Sequence, residues 1–177
     1  MLLKVLLVKL RKVDWHIINI ESNQMNRYLI TGGSGFIGTN LVDEHLNNGD
    51  VILSIDLTPP KNSAHLQYFQ QVSLLDVDKL TQIVKSFAPT HIYHLGARTD
   101  LNGHTLADYR ENIEGVQNII DAANEAQSVK RIVFASSRLV CKIGYQPVSY
   151  LDYCPTTPYG ESKVVGENIV NALTGEQ

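Results

Sequence analysis

Short apolar runs alternate with longer segments of helical periodicity from residue 28 to the end of the chain. The apolar runs lie at residues 28–30, 51–55, 91–95 and 131–135, with a weaker one at 68–72. Helical spacing of apolar positions occupies residues 36–47, 77–87, 105–126 and 159–173. Unbroken apolar strands are typical of parallel strands buried on both faces, and right-handed crossovers restrict their order. The pattern predicts an α/β fold, Rossmann-like, with a doubly wound parallel sheet in the strand order 3-2-1-4-5.

The first 24 residues do not follow this alternation. Their apolar residues are interrupted by Lys4 and Lys9 and followed by Arg11 and Lys12, a pattern unlike a secretory signal. Met25 lies just before the first strand of the alternating pattern. We therefore divide the chain into residues 1–24, an extension to which we assign no function, and a domain at residues 25–177.

A glycine-rich turn follows the first strand of this domain and leads into the first helix. It reads Gly32-Gly33-Ser34-Gly35-Phe36-Ile37-Gly38. Glycines permit a tight turn and a close approach of the backbone to a pyrophosphate, and a helix N-terminus attracts phosphate. Asp56 ends the next strand, about 20 residues further on, where a carboxylate accepts hydrogen bonds from a ribose diol. The pattern predicts a dinucleotide site, with NAD favoured over NADP, formed by Gly32, Gly35, Phe36, Ile37, Gly38 and Asp56.

Tyr159 and Lys163 are four residues apart on the last predicted helix, so their side chains share one face. A free tyrosine is protonated at neutral pH, and a neighbouring ammonium stabilises the phenolate. A phenolate beside a nicotinamide can accept the proton of an alcohol while hydride leaves the same carbon. The pair predicts an oxidation step in which Tyr159 is the base and Lys163 assists it and orients the nicotinamide ribose.

Composition narrows the range of functions. The chain has 177 residues, 44% of them hydrophobic and 19% charged, as expected for one globular domain. A net charge of −3 gives no basic surface for nucleic acid or an anionic membrane, and no apolar run approaches the ~18 residues of a membrane span. The two cysteines and six histidines show no metal-ligand spacing. We expect a cytoplasmic protein without a metal site and without a nucleic-acid or membrane partner.

Five further motifs follow the glycine turn in a defined order. They are Leu75-Asp76-Val77, His94-Leu95-Gly96-Ala97, Asn112-Ile113-Glu114-Gly115, Phe134-Ala135-Ser136-Ser137 and Tyr159-x-x-x-Lys163. Together with the spacing Gly-x-x-Gly-x-x-Gly after Thr31, they resemble the extended short-chain dehydrogenase/reductase family and its nucleotide-sugar epimerases and dehydratases. The resemblance covers residues 25–177.

The resemblance implies further contacts to the cofactor. Asp76, with Val77 beside it, would approach the adenine amino group, although Asp76 could instead cap the following helix. The remaining contacts would come from Leu95, Gly96, Ala97, Asn112, Tyr159 and Lys163.

The resemblance also implies that Ser137 shares the substrate oxygen with Tyr159. Ser137 is preferred to Ser136 because the family's catalytic Ser or Thr lies four residues before the tyrosine of a Val-Tyr-Gly tripeptide. Here Cys141-Lys142 stands in place of that Tyr-Gly, beside the substrate. This departure leaves the substrate class open.

The implied activity is that of an NAD-dependent nucleotide-sugar epimerase or dehydratase acting through a transient keto-sugar. Two alternatives stay open. One is a carbonyl or alcohol reductase of the same family, acting on steroid-like or flavonoid-like alcohols with NAD or NADP. The other is a dinucleotide-binding protein without catalysis.

Members of the family continue well past the Tyr159 helix, with the region that binds the substrate. We therefore expect a C-terminally truncated enzyme in which that region is largely missing. Residues 131–135 would then form an uncovered sheet edge, and we expect poor solubility or self-association. The resemblance also implies a homodimer through the helices at 105–126 and 159–173.

Overall fold

The computed structural model describes residues 5–8 and 25–174 as a mixed sheet flanked by helices. The strands are β1 Val5–Val8, β2 Arg27–Thr31, β3 Val51–Asp56, β4 Phe69–Gln71, β5 His91–His94 and β6 Arg131–Ala135. The α-helices are α1 Phe36–Asn47, α2 Val77–Phe87, α3 Arg110–Ala126 and α4 Pro158–Thr174. Short 3-10 helices lie at Ser63–Tyr68, Leu106–Tyr109 and Arg138–Val140.

The sheet has the order β1-β6-β5-β2-β3-β4. Strands β2 to β6 pair parallel with one another. Counted from β2, their order is 3-2-1-4-5, which confirms the predicted Rossmann-like topology. The strand order reverses between β2 and β5, so a crevice is expected at the carboxyl ends of these two strands.

Helices α2, α3 and α4 cover one face of the sheet. Leu29, Ile92 and Ile132 project from three adjacent strands into this layer and are almost completely buried. Ile119 and Ile120 of α3 pack against them in the same cluster. Burial of one such side chain stabilises the fold by about 1.5–3 kcal/mol. Packing in this layer therefore fixes the positions of the strand ends that carry the site.

Helix α1 packs on the opposite face. Val42 contacts Ile30 and Ile52, and Tyr28 stacks on His45 with ring centroids 4.0 Å apart. This packing holds the glycine turn, which joins β2 to α1, against the sheet. The N-terminus of α1 therefore points to the carboxyl end of β2.

The expectation that residues 131–135 form an uncovered sheet edge was wrong. β1 pairs antiparallel with β6, with Val5 opposite Ala135 and Val8 opposite Ile132. The apolar run between Lys4 and Lys9 is long enough for a four-residue strand, and the free backbone groups of β6 offer it hydrogen-bond partners. The division at residue 25 stays a prediction, because the structure describes only Val5–Val8 before it.

The predicted helix at 105–126 is divided in the structure. A 3-10 turn, Leu106–Tyr109, comes first, with Thr105 and Asp108 forming a capping box, and α3 begins at Arg110. Tyr109, at the junction, has non-helical backbone angles and is fully buried. The interruption between the 3-10 turn and α3 therefore lies at the residue whose ring is buried and whose hydroxyl donates to the carbonyl of Asp100.

Candidate active site

A crevice of about 1010 Å³ opens at the carboxyl ends of the parallel strands. This volume lies at the upper end of the range for small-molecule sites. The crevice brings together twelve of the predicted site residues, which are Gly32, Gly35, Phe36, Ile37, Gly38, Asp56, Leu95, Gly96, Ala97, Ser137, Tyr159 and Lys163.

The glycine turn forms one wall of this crevice. Gly32 has a φ of 68°, and a Cβ there would lie 2.7 Å from the amide nitrogen of Gly96. A Cβ at Gly38 would overlap the carbonyl oxygen of Gly32. Gly35 is the N-cap of α1 and has no side chain to bind the first-turn amides, and that turn holds no acidic residue. The helix start is therefore suited to bind an anion.

Asp56 lies at the end of β3, beside the glycine turn. Its Oδ2 accepts a hydrogen bond of 3.1 Å from the amide of Ser34, and its Oδ1 accepts one of 3.2 Å from the amide of Thr58. The hydroxyl of Thr58 also donates to Oδ1, at 3.4 Å, so about one of the four acceptor positions of this carboxylate stays open to a ligand hydroxyl. The structure thus holds Asp56 at the crevice as a fixed acceptor.

Tyr159 and Lys163 lie on the first turns of α4, and both side chains are buried at the crevice. The ring of Tyr109 packs edge-on against Tyr159 at 5.8 Å. Burial lowers the pKa of Lys163 to about 8, and the nearby Glu167 carboxylate partly offsets this effect. The ammonium Nζ lies 3.4 Å from the carbonyl oxygen of Ala135, its hydrogen-bond acceptor. Lys163 is thus anchored to the end of β6.

The two serines after β6 point to different partners. Ser136 donates a short hydrogen bond to the carboxylate of Glu167, which also accepts one of 2.8 Å from the hydroxyl of Tyr153. The Oγ of Ser137 accepts from the amide of Leu139 at 3.1 Å, which leaves its hydroxyl hydrogen available on the crevice wall. This geometry favours Ser137 over Ser136 as the serine that meets a ligand.

Glu167 was missed by the sequence reasoning. It is 4% exposed and lies one helical turn beyond Lys163. A small cavity of about 20 Å³ is lined by both residues and by His94, Asn112 and Ser136. The available signal was the spacing Lys163-x-x-x-Glu167, which places the carboxylate on the face of α4 that carries Tyr159 and Lys163.

His94, at the end of β5, is a second buried ionisable group that lines this small cavity. Burial, together with the charge of Lys163, lowers the pKa of His94 to about 3. The Oγ1 of Thr31 accepts from the amides of Leu95 and Gly96, so its hydroxyl donates to Nδ1 of His94 at 3.1 Å. This assigns the single ring proton to Nε2, a buried atom for which residues 5–8 and 25–174 provide no hydrogen-bond partner.

Three predicted cofactor residues lie outside the set that lines the crevice. Asp76 caps α2 by accepting a 3.2 Å hydrogen bond from the amide of Lys79, and Val77 is the first residue of that helix. Asn112 is buried in α3, where it bonds the backbone of Arg98 and donates to the hydroxyl of Ser162. Asn112 therefore joins the loop after β5 to α4.

The part of the chain that the structure describes contains no helix long and apolar enough to cross a membrane. Over residues 5–8 and 25–174 there is also no cluster of three or more acidic, histidine or cysteine side chains suited to a metal ion.

Comparison with known proteins finds relatives among both sequences and solved structures. A 3-beta-hydroxysteroid dehydrogenase of Mycolicibacterium neoaurum is 33% identical over 166 residues, which cover 86% of this chain and 44% of that protein. A UDP-glucose 4-epimerase of Mycolicibacterium smegmatis is 30% identical over 162 residues, covering 82% of this chain and 50% of the relative. The crystal structure of a UDP-glucose 4-epimerase from Brucella ovis in complex with NAD has a TM-score of 0.72 and 26% identity, covering 85% of this chain and 48% of that one.

The chain spans about half the length of these relatives. The model of the NAD dependent epimerase/dehydratase family matches residues 28–177, a span that includes the glycine turn, Asp56, Tyr159 and Lys163. The chain belongs to the NAD-dependent epimerase/dehydratase family.

Proposed function

We propose that this chain is the cofactor-binding and proton-transfer part of an NAD-dependent enzyme that oxidises a secondary hydroxyl group of a nucleotide sugar, with epimerisation or dehydration as the outcome. One observation carries the proposal. Tyr159 and Lys163 lie in the same crevice as the glycine turn and Asp56, although these elements are far apart in sequence.

The residues of the crevice fit NAD. Among the described residues other than its chain neighbours, only the carbonyl oxygen of Gly32 would lie near a Cβ at Gly35, at 3.2 Å. A pyrophosphate can therefore approach the first-turn amides of α1. Asp56 would accept the ribose hydroxyls, while a 2′-phosphate there would meet a like charge. Gly96, packed against Gly32, would form the floor of the site.

The proton chemistry belongs to the chain's own side chains. The Oη of Tyr159 accepts the proton of the sugar hydroxyl, and Ser137 donates a hydrogen bond to the same substrate oxygen. The ammonium of Lys163 stabilises the phenolate of Tyr159 and bonds the nicotinamide ribose. NAD, when bound, supplies an acceptor for the hydride, and return of that hydride to the keto-sugar would complete the reaction.

A steroid-like alcohol is the second candidate substrate. The relative at 33% identity is a 3-beta-hydroxysteroid dehydrogenase, and Cys141-Lys142 departs from the Tyr-Gly of the nucleotide-sugar enzymes. Both substrate classes require the same oxidation of a secondary alcohol, with Tyr159 as the base and NAD as the acceptor of the hydride. Incubation of the protein with NAD and either UDP-glucose or a 3-beta-hydroxysteroid distinguishes the two substrate classes. Sugar products are analysed in the first case, and formation of NADH in the second.

Calorimetric titration tests the cofactor assignment without any need for turnover. NAD should bind more tightly than NADP, and Asp56→Asn should narrow the difference in affinity, because the like charge that opposes a 2′-phosphate is removed.

The assignment of the base is tested separately. Tyr159→Phe should keep the affinity for NAD and abolish oxidation of whichever alcohol the wild type accepts. Equal binding of NAD and NADP by the wild type, or turnover by the phenylalanine variant, contradicts the corresponding assignment.

A further inference from the structure

The two cysteines face each other across a backbone pairing beside the crevice. Cys141 and Cys154 are the partners of an isolated parallel β-bridge. The amide of Cys154 donates to the carbonyl of Val140 at 3.0 Å, and the amide of Lys142 donates to the carbonyl of Cys154 at 2.7 Å. These two bonds flank Cys141 and place it directly opposite Cys154.

This pairing puts the two thiols within reach of each other. Paired strands lie about 4.8 Å apart, and directly opposite residues carry their side chains on the same face. A disulfide requires a Cα–Cα distance of roughly 4.4–6.8 Å, so the backbone already satisfies the condition. Both cysteines are free thiols and are partly exposed, so a small reagent can reach them.

The loop between the cysteines is held by one carboxylate. Asp152 accepts hydrogen bonds from the hydroxyl of Tyr145 at 2.8 Å and from the amide of Val148 at 2.9 Å, and its carbonyl oxygen lies 3.5 Å from the Sγ of Cys141. The thiol of Cys141 is thereby turned toward the chain segment that contains Cys154. The fold of the loop therefore maintains the pairing.

We propose that Cys141 and Cys154 form an oxidation-sensitive dithiol that a peroxide closes to an intramolecular disulfide. One thiolate attacks a peroxide oxygen, the O–O bond breaks, and a sulfenic acid and water result. The second thiolate then attacks that sulfur, the S–S bond forms, the S–O bond breaks, and a second water leaves. In sum, two thiols and one hydrogen peroxide give one disulfide and two waters, and a thiol reductant reverses the change.

The disulfide would join the two segments that carry the proposed chemistry. Cys141 follows the 3-10 turn that Ser137 caps, and Cys154 precedes the start of α4, where Tyr159 lies. Closing the link would fix the substrate side of the crevice relative to α4. The dithiol itself depends only on the pairing of the two cysteines and not on the activity proposed above.

Mass spectrometry of the native chain after peroxide treatment tests this inference. The wild type should lose two hydrogens and both free thiols together, yield one cross-linked peptide containing Cys141 and Cys154, and recover with dithiothreitol. Cys141→Ser and Cys154→Ser should instead gain oxygen atoms or form intermolecular dimers. Addition of oxygen to Cys141 or Cys154 of the wild type, located by peptide mapping and as fast as in these variants, overturns the proposal.

A matched control tests the geometry itself. The double variant Cys141→Ser with Lys142→Cys keeps two cysteines at nearly the same separation in sequence but moves one thiol to the opposite face of the pairing. It should not form the intramolecular disulfide under conditions that close the wild type. Closure of both proteins to the same extent would show that loop flexibility, and not the observed pairing, brings the thiols together.

Discussion

Burial determines how the basic side chains beside the crevice bind protons. The ammonium of Lys163 is buried, and Glu167 is the carboxylate that opposes the resulting fall in its pKa. His94 lines the same small cavity as Lys163 and Glu167 and stays neutral at pH 7, while Tyr159 lies one turn earlier on α4. At neutral pH the charge available to assist Tyr159 is therefore that of Lys163, maintained by Glu167.

Glu167→Gln should lower the pKa of Lys163 further, because a nearby negative charge that stabilises the ammonium is removed. The measurement is the pH titration of the lysine side-chain NMR signal. Glu161→Gln is the control, since Glu161 is an exposed carboxylate on the same helix. An unchanged titration of Lys163 in the Glu167 variant would remove the charge-stabilising role assigned to Glu167.

His94 should make the fold sensitive to acid. Its pKa is about 3 when folded and about 6.5 in an unfolded chain, so below pH 6.5 the unfolded state binds the extra proton and stability falls as the pH falls. Between pH 7 and pH 5 this linkage costs about 2 kcal/mol of unfolding free energy. Urea unfolding at both pH values should show that His94→Gln has a smaller loss than the wild type.

The exposed His104 supplies the matched comparison for this experiment. His104→Gln should reproduce the wild-type loss of stability between pH 7 and pH 5. If the His94 variant loses as much stability as the His104 variant, the acid sensitivity has another source. The comparison uses the change with pH and is therefore independent of any constant cost of the substitution.

Local spacing explains which site residues could be predicted. The glycines, Asp56, Tyr159 and Lys163 carry their signal within one turn or one strand end, and the structure places them in one crevice. The role of His94 depends on its burial, which no local pattern indicates. The spacing from Lys163 places Glu167 on the same face of α4, but its burial beside Ser136 and His94 is a tertiary effect. For Asp76 the local pattern was present but ambiguous, since an aspartate at a helix start fits a cofactor contact and a helix cap equally well.

At the scale of elements, two glycines of the same turn should affect different properties, Gly38 the stability of the fold and Gly35 the binding of the ligand. Gly38→Ala should lower the free energy of unfolding by about 1–3 kcal/mol, because the added methyl overlaps the backbone of Gly32 and Gly33. Gly35→Ala should cost about 1 kcal/mol or less, since its methyl meets only the carbonyl oxygen of Gly32 at 3.2 Å. The Gly35 variant should nevertheless bind NAD more weakly, because the methyl occupies the approach to the first-turn amides.

Urea unfolding and NAD titration of both variants check this separation. Comparable stability loss in the two variants would mean that the turn relaxes differently from the observed geometry. Undiminished NAD affinity of a folded Gly35 variant would place the pyrophosphate elsewhere in the crevice.

Element boundaries followed the sequence closely where the hydrophobic period was unbroken. The helices α1 and α2 and the strand β6 have the predicted bounds, because Asn48-Gly49 and Ala88-Pro89 stop the helices locally. The start of α3 was displaced by the burial of Tyr109, a tertiary effect. Boundaries set by local stop signals were thus predicted more accurately than the boundary set by tertiary packing.

At the scale of the whole molecule, the least predictable feature is β1. Its apolar run is only four residues long, and its partner β6 follows more than a hundred positions later in the chain. Pairing over such a distance leaves no local pattern, whereas the five parallel strands are implied by the alternation of strands and helices. The parallel order was therefore predicted, and the antiparallel strand was not.

A chain that begins at Met25 should lose the pairing between β1 and β6 and expose the backbone edge of Arg131–Ala135. We expect lower stability and concentration-dependent self-association, measured by urea unfolding and analytical ultracentrifugation beside the full chain. Leu6→Pro and Leu7→Pro separate the role of the strand from that of the remaining extension. Adjacent residues of a strand direct their N–H groups to opposite sides, so only one of the two prolines removes a hydrogen bond to β6. If the shortened chain is monomeric and as stable as the full chain, the pairing of β1 does not protect this edge.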